Sequence, residues 1–199
     1  MSGQTSEWLN FKKDFRRYEQ FSKAANGRWF LYMLRQPGMH AVAIFRFGTW
    51  IKKNRLFIRV LLYPIYLILN RRMRARWGIE IQMGARIGPG MLIHHYGGIF
   101  IVNSAVIGEN FSITHDITIG ISGRDEKRQT PVIGNNVYLG PGVKIIGGVR
   151  VGTNVTIGPN TLVMRDIPPN SVVTPQAPRV VQLSALNFSL GDTGVNDFV

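Results

Sequence analysis

The chain of 199 residues contains no cysteine. Disulfides, thiolate metal sites and cysteine nucleophiles are therefore excluded. The opening MSGQTSEWLNFKKDFRRYEQ has charges but no apolar core behind them, so it is not expected to act as a secretory signal. A membrane-spanning run is missing as well. Residues 56–69 are nearly all apolar, but they are only fourteen long and are interrupted by Arg59 and Pro64, whereas a spanning helix takes about 20 residues. Acidic residues are scarce at the front. Residues 1–78 hold 16 of the 24 Lys+Arg and only 3 of the 11 Asp+Glu, so the whole net charge of +13 lies there and the remainder is neutral. A basic arm on a neutral body points to a docking surface and away from nucleic acid.

What the chain does have is a repeat of six. From about Ile79 branched or large aliphatics recur at Ile133, Leu139, Ile145, Val151, Ile157 and Val163 without a slip. The same frame holds upstream at Ile81, Ile87 and Ile93. It slips by two residues through His94-His95-Tyr96-Gly97-Gly98 and resumes at Ile101, Ile107, Ile113 and Ile119. Small or branched residues fall four positions after each anchor, as at Val137, Val143, Val149 and Val155. A period of six suits neither an α-helix nor a plain strand and is the mark of a parallel β-helix, each hexapeptide forming one side of a triangular coil. Gly directly follows several anchors, at 134, 140, 152 and 158, where the coil corners are expected to need its freedom of φ. The expected fold is mainly β: a left-handed parallel β-helix over 79–173, preceded by a basic α-helical segment over 1–78 and followed by a tail over 174–199.

Two segments depart from the repeat. Between Ile119 and Ile133 the charged stretch 121–130 reads as a loop thrown out from a corner. Before the repeat, residues 5–35 and 40–77 read as helical, separated by Gln36-Pro37-Gly38. The apolar run 56–69 is flanked by Lys52, Lys53 and Arg55 on one side and by Arg71, Arg72, Arg74 and Arg76 on the other. Such a stretch either packs on the β-helix or a sister subunit, or lies in the plane of an anionic membrane. The second reading gives residues 40–77 a peripheral membrane contact. The expected location is then the cytoplasm, at the inner face of the cell membrane.

Of the four histidines, His40 falls in the helical segment and reads as structural. His94 and His95 fall where the repeat slips, and Gly97-Gly98 lets the backbone leave the regular coil there. His115, in ITHDITIG, reads either as an outward polar residue or as part of an acceptor pocket about one coil above His95.

The run GIEIQMGARIGPGMLIHHYGGIFI, with AVIGENFSITHDITIG and PVIGNNVYLGPGVKIIGGVRVGTNVTIGPNTLVMRDIPPNSVV, resembles the serine acetyltransferase family over 78–173, about half the chain. It looks closest to the family's shorter members associated with bacterial surface polysaccharides. The resemblance implies a homotrimer, with acetyl-CoA as donor in the groove between neighbouring β-helices, and no metal. It puts the catalytic histidine on His95 and its partner carboxylate on Glu80. An imidazole titrating near neutrality can take the proton of an acceptor hydroxyl, and a carboxylate on its far nitrogen would fix the tautomer. Direct attack on the thioester then needs no covalent enzyme intermediate, with backbone N–H groups stabilising the oxyanion.

The same resemblance puts acceptor contacts on His94, Gln129 and Thr130, which the pocket reading of His115 would join, and donor contacts on Gly120, Ser122, Gly140, Pro141, Lys144 and Arg150. Pro141 has no N–H to offer a cofactor. Serine-specific enzymes place an aspartate where His94 stands and an Arg-His pair where Gln129-Thr130 stand. The expected acceptor is therefore a sugar hydroxyl of a surface polysaccharide or its precursor, with L-serine as the alternative and a catalytically idle scaffold as a third reading. Carbonic anhydrases of the same fold hold zinc with three histidines. Adjacent His94 and His95 on an extended segment point to opposite faces and do not reproduce that set.

Overall fold

The computed structural model describes residues 7–23, 35–123 and 129–175. Among the described residues three helices come first: α1 (Glu7–Lys23), α2 (Pro37–Lys53) and α3 (Leu56–Trp77). The helix boundary differs from the sequence expectation. The chain breaks at Gln36 as expected, but Pro37 and Gly38 belong to α2, with Pro37 as its first residue where its missing N–H costs nothing. A second break at Asn54 and Arg55 divides the stretch expected to be one helix. Gly78 ends α3 in the left-handed conformation at φ 60°, and the first coil begins at the next residue.

The repeat then winds through three parallel sheets. The first face stacks β1 (Ile79–Ile81), β4 (Ile99–Ile101), β7 (Thr118–Gly120), β10 (Lys144–Ile146) and β13 (Leu162–Val163). The second stacks β2 (Arg86–Ile87), β5 (Val106–Ile107), β8 (Val132–Ile133) and β11 (Arg150–Val151). The third stacks β3 (Leu92–Ile93), β6 (Ser112–Ile113), β9 (Tyr138–Leu139), β12 (Thr156–Ile157) and β14 (Val172–Val173). Register places like on like: Ile81 on Ile101, Ile87 on Ile107, Ile93 on Ile113. The anchors and the residues four positions after them both turn inward. Ile119, Ile145, Val143 and Val155 are all fully buried.

The glycines that follow the anchors have a different job from the one expected. They keep ordinary negative φ. The left-handed residues lie two positions further on, at Asn110, Asp116, Asn136, Asn154, Asn160 and Asn170, with Gly90 and Gly142 in the same role. Asparagine and aspartate tolerate this conformation better than other side chains. At one corner the asparagines also bond upward from coil to coil, Asn110 to Asn136 to Asn154 to Asn170, at 2.9–3.0 Å. Gly134 and Gly152 are needed instead for close approach. A Cβ on Gly134 would stand 2.8 Å from the Gly152 carbonyl carbon, and one on Gly152 2.4 Å from the Pro169 nitrogen.

The first coil has no coil beneath it, so its outer backbone groups form an open sheet edge. Side chains of α1 and α2 close it. The Tyr18 hydroxyl accepts from Ile93 N at 2.8 Å and donates to Ile93 O at 3.3 Å. Asp14 accepts from Gly90 N and Met91 N at 2.6 and 2.8 Å. Arg46 donates to Ile87 O and Gly88 O at 2.7 and 2.6 Å and pairs with Asp14 at 2.8 Å. Arg17 donates to Gly90 O and, at 2.7 Å, to Ser112 Oγ. Ala41, Val42, Phe45 and Met73 of the helices join the coil aliphatics in one continuous core.

Candidate active site

The slip in the repeat is the corner between β3 and β4. Gly97 and Gly98 there take φ values of 105° and 65°, which lets the chain bulge and leave the stack. A Cβ on Gly97 would meet nothing within 4 Å, so the space beside this corner is open. His95 is exposed at its tip, and its ring stands edge-on to that of His115, 6.0 Å between centroids. The two histidines thus occupy the same corner of successive coils, and His115 is exposed as well.

His94 goes elsewhere. It is half-buried, with its ring against Phe21 of α1 at 4.8 Å and near Tyr138 at 6.1 Å. Burial, then the charges of Arg17 and His95, hold its pKa below the ordinary value. Glu80 lies at the centre of β1, in register with Phe100 of β4. Its carboxylate is engaged by Arg74 and Gln82, both at 3.5 Å, and makes no hydrogen bond to an imidazole. The direct dyad expected from the sequence is therefore absent from this geometry. The middle of a flat strand points Glu80 out of the face, while His95 rides on the bulged corner.

Above Glu80 the same face presents Phe100, Thr118 and Lys144 in register. Lys144 Nζ bonds the carbonyl and carboxylate of Asp116 at 2.7 Å each, so its charge is partly committed within the coil. Sequence reasoning missed four neighbours of this corner. Asp116 follows His115 directly and takes positive φ. Trp77 packs edge-on against Tyr96 at 4.7 Å, and Arg74 reaches Glu80 from the last turns of α3. The signal for Asp116 was its place three residues after the Ile113 anchor. Arg74 and Trp77 were hidden because helix and repeat read as separate segments.

The remaining expected residues divide between two corners of the triangle. Gly140 and Pro141 stand on the His95 corner, two coils up, where Gly142 N bonds His115 O at 3.2 Å. Gly120, Ser122, Gln129 and Thr130 stand at the other end of the first face. There Ser122 and Gln129 pair antiparallel, at 3.1 and 3.3 Å, and close the neck of the 121–130 loop. Residues 124–128 of that loop, and the 174–199 tail beyond Pro175, lie outside the described residues. Arg150 is exposed on β11, on a different face, with its N–H bonded to Asp166 at 2.8 Å. No single protomer gathers this set into one pocket. Among the described residues, no group of three His, Cys, Asp or Glu side chains is arranged to hold a metal ion.

Stacked hexapeptide coils with an exposed histidine corner define a hexapeptide-repeat transferase, and residues 130–165 match the bacterial transferase hexapeptide (six repeats). The chain belongs, within that class, to the serine acetyltransferase family. It is 34% identical to the serine acetyltransferase of Helicobacter pylori over 163 residues, 82% of this chain and 91% of that one. Against the Synechococcus elongatus enzyme it is 33% identical, covering 85% of this chain and 66% of the relative. The crystal structure of Neisseria gonorrhoeae serine acetyltransferase in complex with serine superposes with a TM-score of 0.71 at 28% identity, over 90% of this chain and 70% of that one. The chain is accordingly an acyltransferase of this family. The expected closeness to polysaccharide-associated members finds no support in these relatives, which are named for serine.

Proposed function

We propose that the chain transfers an acetyl group from acetyl-CoA to an acceptor hydroxyl, with His95 as general base. The observation that carries this reading is the exposed imidazole of His95 on a corner that two glycines have released from the stack, edge-on to His115. The acceptor O–H gives its proton to the imidazole as its oxygen attacks the thioester carbonyl. The tetrahedral intermediate then collapses, the C–S bond breaks, and the imidazolium returns the proton to the leaving thiolate. Backbone N–H groups of the corner serve as oxyanion donors. Glu80 contributes negative charge to the site from the neighbouring strand without holding the imidazole directly.

L-Serine is the acceptor that the relatives support. The corner offers both signs of charge that an amino acid needs, Glu80 beside Arg74 and Asp116 beside Lys144. A sugar hydroxyl is the second reading. It is favoured by His94, which is packed under Phe21 where serine-specific enzymes place an aspartate, and by the uncharged Gln129 at the loop neck. Because the expected contacts lie at opposite ends of one face, the complete site is assigned to the groove between protomers of a homotrimer. His95 and Gly140 of one copy would there face Gly120, Ser122 and Gln129 of the next, with the donor along that groove.

CoA-release kinetics with L-serine and with a panel of amino and neutral sugars tests both acceptors. Turnover with serine is expected, and turnover with sugars alone would replace the first reading by the second. His95→Ala should lower the rate by about two to four orders of magnitude whichever acceptor works. Glu80→Gln should cost less. Near-normal turnover in His95→Ala would sink the mechanism.

A further inference from the structure

The helix α3 joins the rest of the molecule along one seam. Tyr66 and Met73 are buried, Ile58 and Leu62 are partly covered, and Tyr66 lies so close on α2 that a Cβ on Gly48 would stand 2.4 Å from its ring. Apart from Trp77 at its end, the other large apolar residues of α3 face outward. Leu56, Phe57, Val60, Leu61 and Ile68 are 60–71% exposed. A helix of 22 residues, about 33 Å long, thus presents an unpartnered apolar flank. No helix among the described residues is long and apolar enough to cross a membrane.

Charge decides what covers this flank. Between Glu19 and Glu80 the chain has no Asp or Glu at all, while Lys52, Arg55, Arg59, Arg71 and Arg72 lie beside the apolar residues. Among the described residues none of those five forms an ion pair. Two copies meeting through α3 would bring cations onto cations, with no carboxylate from α2 or α3 to separate them. An anionic lipid surface matches both features: apolar side chains enter the acyl boundary, and the long basic side chains reach back to the headgroups.

We propose that α3 lies in the plane of an anionic bilayer and holds the His95 corner beside the membrane surface. The last turn of α3 makes the connection. Trp77 packs on Tyr96, next to His95, and Arg74 meets Glu80. An acceptor carried by a lipid would then reach the base without leaving the membrane. That consequence rests on the acyl-transfer reading, whereas docking itself does not.

Flotation of the full chain with vesicles tests the docking. The protein should rise with vesicles of phosphatidylglycerol and phosphatidylcholine at low salt, stay behind with phosphatidylcholine alone, and be released by high salt. Each engaged cation is expected to change partitioning about fivefold, so joint reversal of Arg55, Arg59, Arg71 and Arg72 to Glu should lower it at least about a hundredfold. Phe57→Asp with Leu61→Asp should abolish binding by the apolar route. CoA release from soluble acceptors should be unchanged in both variants, which shows that they are folded and separates loss of docking from loss of chemistry. A wild type left in the soluble fraction at low salt overturns the proposal, as does equal binding to neutral vesicles. Sedimentation showing a larger assembly, dissolved by Leu61→Asp and without vesicle binding, would assign the flank to a second copy and overturn it equally.

Discussion

In the coil stack, backbone N–H groups meet C=O groups one coil away at equivalent positions, and at one corner asparagine meets asparagine. At the helical base no coil exists to supply partners, and single side chains stand in for the missing strand. Tyr18 takes both backbone groups of Ile93, while Asp14 and Arg46 take those of the 87–91 turn. The first arrangement spreads its energy over many small equivalent contacts. The second concentrates it in a few buried, mutually dependent ones. Single substitutions should therefore cost more at the base than at any one corner of the stack.

The strongest way to break this contrast is Asp14→Ala. It would leave the buried Arg46 guanidinium with only the more distant Glu7 carboxylate, at 3.7 Å, and the Gly90 and Met91 N–H groups without an acceptor. Removing one partner of such a pair costs about 3–5 kcal/mol. Urea unfolding should show a large fall in midpoint. Asp14→Asn, which keeps an acceptor for the two N–H groups, should recover part of it. A loss below about 1 kcal/mol would mean that the helices are laid on the coils and do not close their edge.

The corresponding test in the stack is Asn154→Ala. It puts a side chain that lacks asparagine's tolerance of the left-handed region at φ 57° and removes the bonds to Asn136 and Asn170. The left-handed conformation costs an ordinary residue about 1–2 kcal/mol, and exposed side-chain bonds add little. Asn154→Gly should cost less, since it keeps the backbone and loses only the ladder. If Asn154→Ala proved as damaging as Asp14→Ala, the stack would be no more tolerant than the base.

This contrast also explains what could be read from the amino-acid order. The stack was legible because each coil repeats its instruction. Inward Ile119, Ile145 and Val155 announce themselves by spacing, and the slip at 94–98, like the insertion at 121–130, marks a place where the chain leaves the coil. The corner geometry was only half legible. Gly134 and Gly152 stand out in the sequence, yet they serve close approach, and positive φ falls on asparagines that look like ordinary polar residues. The base was not legible, because a contact such as Tyr18 to Ile93 joins residues 75 apart and occurs once. The candidate site falls between these extremes. His95 and His115 follow from the repeat, one coil apart on the same corner. The engagement of Glu80 by Arg74 depends on how α3 meets β1, which no local pattern states.

His94 sits where the two regions join, and the smallest effect is expected there. Its ring lies between Phe21 of the base and Tyr138 of the stack, and its pKa is held below the ordinary value of about 6.5, mainly by burial. The sign follows from that depression. Above pH 6.5 both folded and unfolded chains carry a neutral His94, and its contribution to stability is complete. As the pH falls below 6.5 the unfolded chain takes up the proton first, so stability is lost until the folded-state pKa is passed and the loss levels off. The ring remains partly open to solvent, so this loss should be smaller than that of either substitution above. Replacing His94 with Phe keeps an aromatic ring against Phe21 and removes the titration. Thermal unfolding followed from pH 8 to pH 5 should therefore show the two proteins running parallel above about pH 6.5, with the wild type falling further below it. Parallel curves across the whole range would place His94 outside the joint, and the contact between base and stack would then rest on Asp14, Arg17, Tyr18, Arg46 and the shared apolar core.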